Sequence, residues 1–401
     1  MSSLHSEFTQ LELETEEAVQ FLQEAVRINT VSKTGDEALL ARMLATRLEQ
    51  EGIGCALHAL DDKRVNLLAT LRSGRPGPTV VLSGHMDTVP EGSITWLHGP
   101  FDATIESGKM YGRGTVDMKS GLLALMYALI RFARRAPDSW SGELIFVATS
   151  SEETGAEGAK ALLEQQLLPE FDAMIIGEPT DRRLVIAHKG AFWTRVCSCG
   201  KASHSSMPHI GINAIDKLYS FYARLPEVDI SSSPHALLSP ATMAVTQIHG
   251  GKQANVVPDQ CAMTLDMRTL PGQKHKDLAR QMRELANNVM QADNDSHFRF
   301  ETLLDIPAMS TDPAADIVSV AQGVLRQAGM SDGDARPRGA QYFTDASVLQ
   351  AQGRNIIILG PGDPGLAHQV NEHVAVDDYI SAIDIYDQIL TKYLAYEDSG
   401  R

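Results

Sequence analysis

Glu143-Leu-Ile-Phe-Val-Ala-Thr-Ser-Ser-Glu-Glu153 is the stretch that decides the fold. From Leu144 to Ala148 it is apolar at every position, with no polar alternation. A strand of that kind is covered on both faces, as in a parallel sheet sandwiched between helices. It runs into two adjacent carboxylates, which are costly to bury without a cation or basic partner nearby. Other segments repeat the plan. Residues 79–83 form a short apolar strand ending at Gly84, and Ala173–Ile176 forms another. Helical periodicity marks 16–28, 36–51, 118–135 and 156–168. In 36–51, Leu40, Met43, Leu44 and Leu48 share one face, and Gly52 is the stop. Two alternating stretches, 53–60 and 65–71, read as further strands. Strands alternating with helices predict an α/β fold, a three-layer domain with a largely parallel sheet.

The pattern changes near Gly190. Strand (191–198), helix (212–225), strand (242–249), strand (Gln260–Thr269), helix (276–290) and strand (297–304) follow in turn. That β-α-β-β-α-β order is the split, ferredoxin-like unit. A helix (314–328), a strand (355–359) and a last helix (378–396) then resume the α/β character. A small domain, 190–304, is therefore expected within a larger one made of 1–189 and 305–401.

The chain has 401 residues, consistent with two domains. Its formal net charge of −16 argues against non-specific binding to nucleic acid or anionic membrane. Four cysteines, Cys55, Cys197, Cys199 and Cys261, exclude a disulfide scaffold. The absence of Cys-x-x-Cys disfavours a thiolate zinc site. Residues 1–24 are polar and acidic, without the pattern of a secretory signal. The longest apolar run, 121–130, is about half of the ~20 residues a membrane span needs. A cytoplasmic enzyme is the expectation.

The chemistry-bearing residues stand where apolar strands end. Ser83-Gly-His-Met-Asp87 puts His85 and Asp87 two apart, so both side chains can share one face. His-x-Asp suits a metal-bound imidazole whose other nitrogen is held by a carboxylate. Gly112-Arg-Gly-Thr-Val-Asp-Met-Lys119 has glycines before a helix. It lacks glycine where a P-loop or a dinucleotide loop requires it, and carries Asp117 instead. Glu152 and Glu153, then Glu178, close two further strands, and His368 comes late in the chain. Each alone reads equally well as a polar loop or a helix cap. Together they gather on one sheet edge, where α/β folds bind ligands. Nitrogen and oxygen donors without sulfur suit two divalent metals such as zinc, manganese or cobalt. A bridging carboxylate and an activated water suit amide hydrolysis.

The chain resembles the di-zinc amidohydrolase and peptidase family of acetylornithine deacetylase, succinyl-diaminopimelate desuccinylase, aminoacylase and glutamate carboxypeptidase. Five ordered motifs carry the resemblance, over about residues 15–395: Ser83-Gly-His-Met-Asp-Thr-Val-Pro90, Gly112-Arg-Gly-Thr-Val-Asp-Met-Lys119, Glu152-Glu153, Gly177-Glu-Pro-Thr180 and His368-Gln-Val-Asn-Glu372. It implies that His85 and Glu178 hold one ion, that Glu153 and His368 hold the other, and that Asp117 bridges them. Asp87 then orients His85, and Glu152 is the general base. The metal is expected to be zinc, with cobalt or manganese able to replace it. The Asp117–Met118 peptide bond is expected to be cis.

In the insert, Gly200-Lys-Ala-Ser-His-Ser-Ser-Met-Pro-His209 resembles a family motif whose histidine, here His204, serves the partner subunit's site. Asn255, in Gly250-Gly-Lys-Gln-Ala-Asn-Val-Val-Pro258, and Arg268, in Asp266-Met-Arg268, resemble binders of a substrate carboxylate. The insert is thus expected to be a lid and to dimerise. The implied substrate is a small N-acyl amino acid or a dipeptide. Tyr342-Phe-Thr-Asp-Ala346 departs from the Gly-Thr-Ser-Asp stretch of desuccinylases. Together with Ala367-His-Gln369 it looks more like the acetylornithine deacetylase branch. A dipeptidase or carboxypeptidase, and a desuccinylase, are the alternatives.

Overall fold

The structure is a computed structural model that describes residues 2–353 and 355–395, with side chains from Leu13 onward. Two compact units divide it. One comprises 1–186, 310–338 and 344–401, and the other 187–309 with 339–343.

The central sheet of the first unit runs in the order Gly54–Ala59, Val65–Arg72, Glu143–Thr149, Thr79–His85, Ala173–Ile176, Ile356–Ile358. The last four of these are mutually parallel, and the two before them pair antiparallel. Ile358 also pairs antiparallel with Val185, so the parallel character is confined to those four strands. Glu143–Thr149 is buried at every position after Glu143. Successive side chains point to opposite faces, so both faces are covered and the unit is layered helix–sheet–helix. Helix Ser120–Ala133 packs against the sheet and against helix Val376–Tyr393, which also meets helix Asp316–Gln327. The last helix therefore ends before residue 396, which lies outside the described residues.

Two glycines let the first turn of Ser120–Ala133 touch a strand end. A Cβ on Gly121 would lie 1.7 Å from the carbonyl oxygen of Gly177. That contact fixes the backbone just before Glu178. Asp36 proves to be an N-cap, its carboxylate accepting the Leu39 N–H at 2.8 Å, and the helix proper is Glu37–Gln50. The expected helix from residue 118 is in fact a one-turn segment, Thr115–Lys119, followed by Ser120–Ala133. The first helix begins earlier than its periodicity suggests, spanning Ser2–Arg27. A small antiparallel sheet of Thr104–Glu106, Lys109–Tyr111 and His373–Ala375 left no clear trace in the sequence.

The second unit has a four-stranded antiparallel sheet in the order Thr242–Gly250, Gln260–Thr269, Gly190–Cys199, His297–Ile306. With helices Ala214–Tyr222 and His275–Ala292 this is the ferredoxin-like order. Phe192, Val196, Met263, Leu265 and Met267 meet Leu218, Phe221, Leu278, Met282 and Leu285 in one core on the helix-covered face. The opposite face carries half-buried Trp193, Arg195, Cys197 and Arg268.

Candidate active site

Strands Glu143–Thr149, Thr79–His85 and Ala173–Ile176 are neighbours and parallel, so their C-terminal ends line up. His85, the Glu152–Glu153 pair and Glu178 sit at those ends, the edge where open α/β sheets present ligand sites. Asp117 joins them from Thr115–Lys119, which follows Gly114 at φ +83°. Buried Lys119 anchors this turn to the end of the first helix, donating to the carbonyls of Ala25 (3.0 Å) and Ile28 (2.8 Å). The Asp117–Met118 peptide bond is cis, as the resemblance implied.

Asp117 divides its two oxygens between two histidines. Its Oδ1 stands 3.0 Å from His85 Nε2 and its Oδ2 stands 3.2 Å from His368 Nε2. His85 Nε2 is also 3.6 Å from Glu178 Oε1, and His368 Nε2 is 2.9 Å from Glu153 Oε1. One ligand atom each from His85, Asp117 and Glu153 lie within 4.8 Å of one another. The five residues expected as ligands thus stand close together, with Asp117 between the two histidines. Oxygen and imidazole donors in this number fit a pair of borderline divalent cations.

His85 Nδ1 meets the backbone carbonyl of Asp87 at 2.9 Å and its carboxylate at 3.4 Å. The Asp87 carboxylate has other partners. It accepts the N–H groups of Glu152 (2.9 Å) and Glu153 (3.2 Å) and the hydroxyl of Ser32 (2.7 Å). Asp87 therefore orients His85 through its backbone and the Glu152–Glu153 loop through its side chain. Glu37 adds to that loop, accepting the Ser151 N–H at 2.9 Å. No motif singles out Glu37, because an acid in a helix's first turn is already explained by the helix dipole.

Crowded carboxylates leave their mark on proton affinity. Burial pushes Glu152 and Glu178 well above the usual carboxylate range, and neighbouring acids add to it, while the charge of His85 opposes. Burial also raises Glu153. Burial resists charge on His85, yet Glu178, Asp117 and Asp87 outweigh it and hold its pKa well above normal. Hydrogen bonds to Asp117 and Glu153 raise His368 to about 10. Burial works to raise Asp117, but the two histidines beside it bring it below its ordinary value. Asp345 is buried, raised by that burial to about 6, and held by the Thr149 hydroxyl at 2.5 Å. Keeping so many buried carboxylates ionised calls for cations.

The second unit carries the other three predicted residues. His204 and Asn255 come together there: Ser203–His204 pairs with Val256–Val257, and the Ser205 N–H donates to the Asn255 carbonyl at 2.9 Å. His204 is exposed, and its Nδ1 accepts the Ser206 N–H at 3.2 Å. A neutral His204 therefore carries its proton on Nε2. Arg268 is not brought to them. It lies eight residues beyond Gln260 on Gln260–Thr269, which at ~3.3 Å per residue is about 26 Å. Asp266 pairs with its guanidinium at 3.0 Å.

A model of peptidase family M20/M25/M40 matches residues 81–392. The chain belongs to that family. It is a hydrolase acting on amide or peptide bonds. A probable succinyl-diaminopimelate desuccinylase of Staphylococcus aureus is 31% identical over 94% of this chain and 98% of its own. The acetylornithine deacetylase of Proteus mirabilis is 32% identical over 84% of this chain and 85% of its own. Among solved structures, an M20 family metallo-carboxypeptidase from Sulfolobus solfataricus superposes with a TM-score of 0.77 at 19% identity, covering 94% of this chain and 99% of its own. Among the described residues, no helix is long and apolar enough to cross a membrane.

Proposed function

We propose that the protein hydrolyses the amide bond of a small N-acyl amino acid, in the manner of acetylornithine deacetylase, using two zinc ions. The observation that carries this reading is the division of Asp117 between His85 and His368, each with its own glutamate. In it His85 and Glu178 would hold one ion and Glu153 and His368 the other, with the Asp117 carboxylate shared by the two sets. When bound, the ions supply Lewis acidity toward the scissile carbonyl and acidify an attacking water. Glu152 is the base that takes the proton of that water and later delivers it to the leaving amine nitrogen. Its backbone, tied to Asp87 at 2.9 Å, keeps the carboxylate beside the cluster. Asp87 also sets the ring of His85. Arg268 suits a substrate carboxylate, for which a planar guanidinium is matched.

His204, with its proton on Nε2, suits donation to the carbonyl oxygen. One chain has His204 and Asn255 before the start of strand Gln260–Thr269 and Arg268 near its far end, about 26 Å from Gln260 at ~3.3 Å per residue. A substrate of a few ångströms cannot touch both ends of one copy, which supports a homodimer sharing its sites. The second unit then acts as lid and dimerisation domain, and the first as catalytic domain. Strand Thr242–Gly250 ends its sheet, and Ile248, Tyr219 and Tyr222 stand exposed beside it at 62%, 67% and 48%. An unpaired edge with apolar neighbours suits the same edge of a second copy. Four free cysteines suit a reducing compartment such as the cytoplasm.

The relatives named above bear both the desuccinylase and the deacetylase names at similar identity, so the acyl group is the part most open to test. A panel of N-acetyl, N-succinyl and dipeptide substrates, assayed with zinc, cobalt or manganese, decides it. Fastest turnover of an N-acetyl amino acid is the expected result, and preference for a dipeptide or succinyl amide replaces it with that alternative. The purified protein should hold two divalent ions. His85→Ala and His368→Ala should each lower metal content by about one ion, measured by elemental analysis. A protein fully active after exhaustive chelation would contradict the site.

A further inference from the structure

His368 differs from the other expected ligands. Its side chain is 48% exposed and its backbone is in the left-handed region, at φ +63°. Packing alone does not hold it, and that conformation is disfavoured for a non-glycine residue. Something else must fix it.

Arg113 and Glu372 do so from beneath. Both are buried, and Arg113 Nη1 meets Glu372 Oε2 at 2.6 Å. The guanidinium also donates to the carbonyls of Gln369 (3.3 Å), His368 (3.5 Å) and Pro90 (3.2 Å). The other carboxylate oxygen of Glu372 accepts the N–H of Val116 (2.8 Å) and of Asp117 itself (3.1 Å). The Gly112 N–H donates to the Glu372 carbonyl at 3.0 Å. Just beyond, His373–Ala375 pairs with Lys109–Tyr111. The two ligand-bearing loops, about 250 residues apart in sequence, are thereby one structure.

We propose that Arg113 and Glu372 are positioning residues for the metal pair, setting the distance between Asp117 and His368 by holding the backbones of both. This deepens the reading of those two residues as ligands and rests on it. A guanidinium suits the task because its fixed fork reaches a carboxylate and three carbonyls at once, which an ammonium cannot do. Supporting residues of this kind typically change metal affinity by ~10- to 100-fold when altered.

Zinc occupancy at buffered free zinc concentrations tests this on the intact protein, alongside circular dichroism and melting of the zinc-free form. Glu372→Gln keeps an acceptor for the two N–H groups but loses the charge opposite Arg113. Arg113→Lys keeps the charge but loses the fork. In each, the free zinc needed to half-fill one of the two sites should rise at least ~10-fold. Activity lost at limiting zinc should return with excess zinc. Folded variants that fill both sites at the wild-type zinc concentration overturn the proposal, whatever their melting temperature. Failure of both variants to fold also overturns it, because the pair then holds the fold and not the ligands. A wild-type protein that binds no zinc would instead remove the metal-site reading itself.

Discussion

Glu152→Gln is expected to lower kcat by ~10²-fold or more with two ions still bound, because losing a general base typically costs that much. The expectation rests on a distinction between neighbours. Glu153 faces His368 Nε2 at 2.9 Å, whereas among the described residues no histidine pairs with Glu152, a buried residue whose carboxylate feels the charges of His85 and Glu178. A base has to reach the water and stay off the metal, the role proposed for Glu152 and not for Glu153. Glutamine keeps the volume and the hydrogen bond from its N–H to Asp87, so the loop should hold its shape. Steady-state kinetics and elemental analysis on one preparation give both readouts. Loss of an ion would mean that the roles of Glu152 and Glu153 are exchanged. An unchanged kcat would mean that another group takes the proton.

The parts of this site legible in the sequence share one physical feature. His85 ends an apolar strand, and Glu152, Glu153 and Glu178 come within four residues after one, so strand patterning alone sends them to one sheet edge. Asp117 and His368 lie on irregular backbone, and only their motifs drew attention to them. The supporting residues were least visible. Glu37 looks like an ordinary helix-start acid, yet its carboxylate holds the Ser151 N–H at 2.9 Å. Arg113 and Glu372 lie within quoted motifs, but their pairing depends on strands of three residues each, too short to show a period. The break between Thr115–Lys119 and Ser120–Ala133 was hidden for the opposite reason. The apolar pattern runs through it unbroken, so periodicity joins what the backbone separates. Arg268 shows a further limit. Sequence placed it with Asn255 as a carboxylate binder, but a ten-residue strand sets its place along the sheet.

That separation leads to the prediction with the other large effect. Neither His204→Ala nor Glu152→Ala protein should hydrolyse substrate at an appreciable rate alone. Mixed in equal amounts under conditions of subunit exchange, they should recover roughly a quarter of wild-type activity. The fraction follows from two-fold symmetry: half of randomly formed dimers are mixed, and one of the two sites in each has both residues intact. The physical basis lies within the second unit. His204 is fixed beside Asn255 by the pairing of Ser203–His204 with Val256–Val257, and its ring is steadied by Ser206 at 2.8 Å. Its ring is therefore an exposed but preorganised group on a short strand. If it serves the partner's site, closure of the lid over the substrate completes that site, as hinge motions commonly do. Tagged subunits and native mass spectrometry would establish that mixed dimers form. Mixed dimers with no recovered activity would show that His204 does not act across subunits. A His204→Ala protein with wild-type kcat would remove His204 from catalysis, and full activity in a monomer would remove the shared site as well.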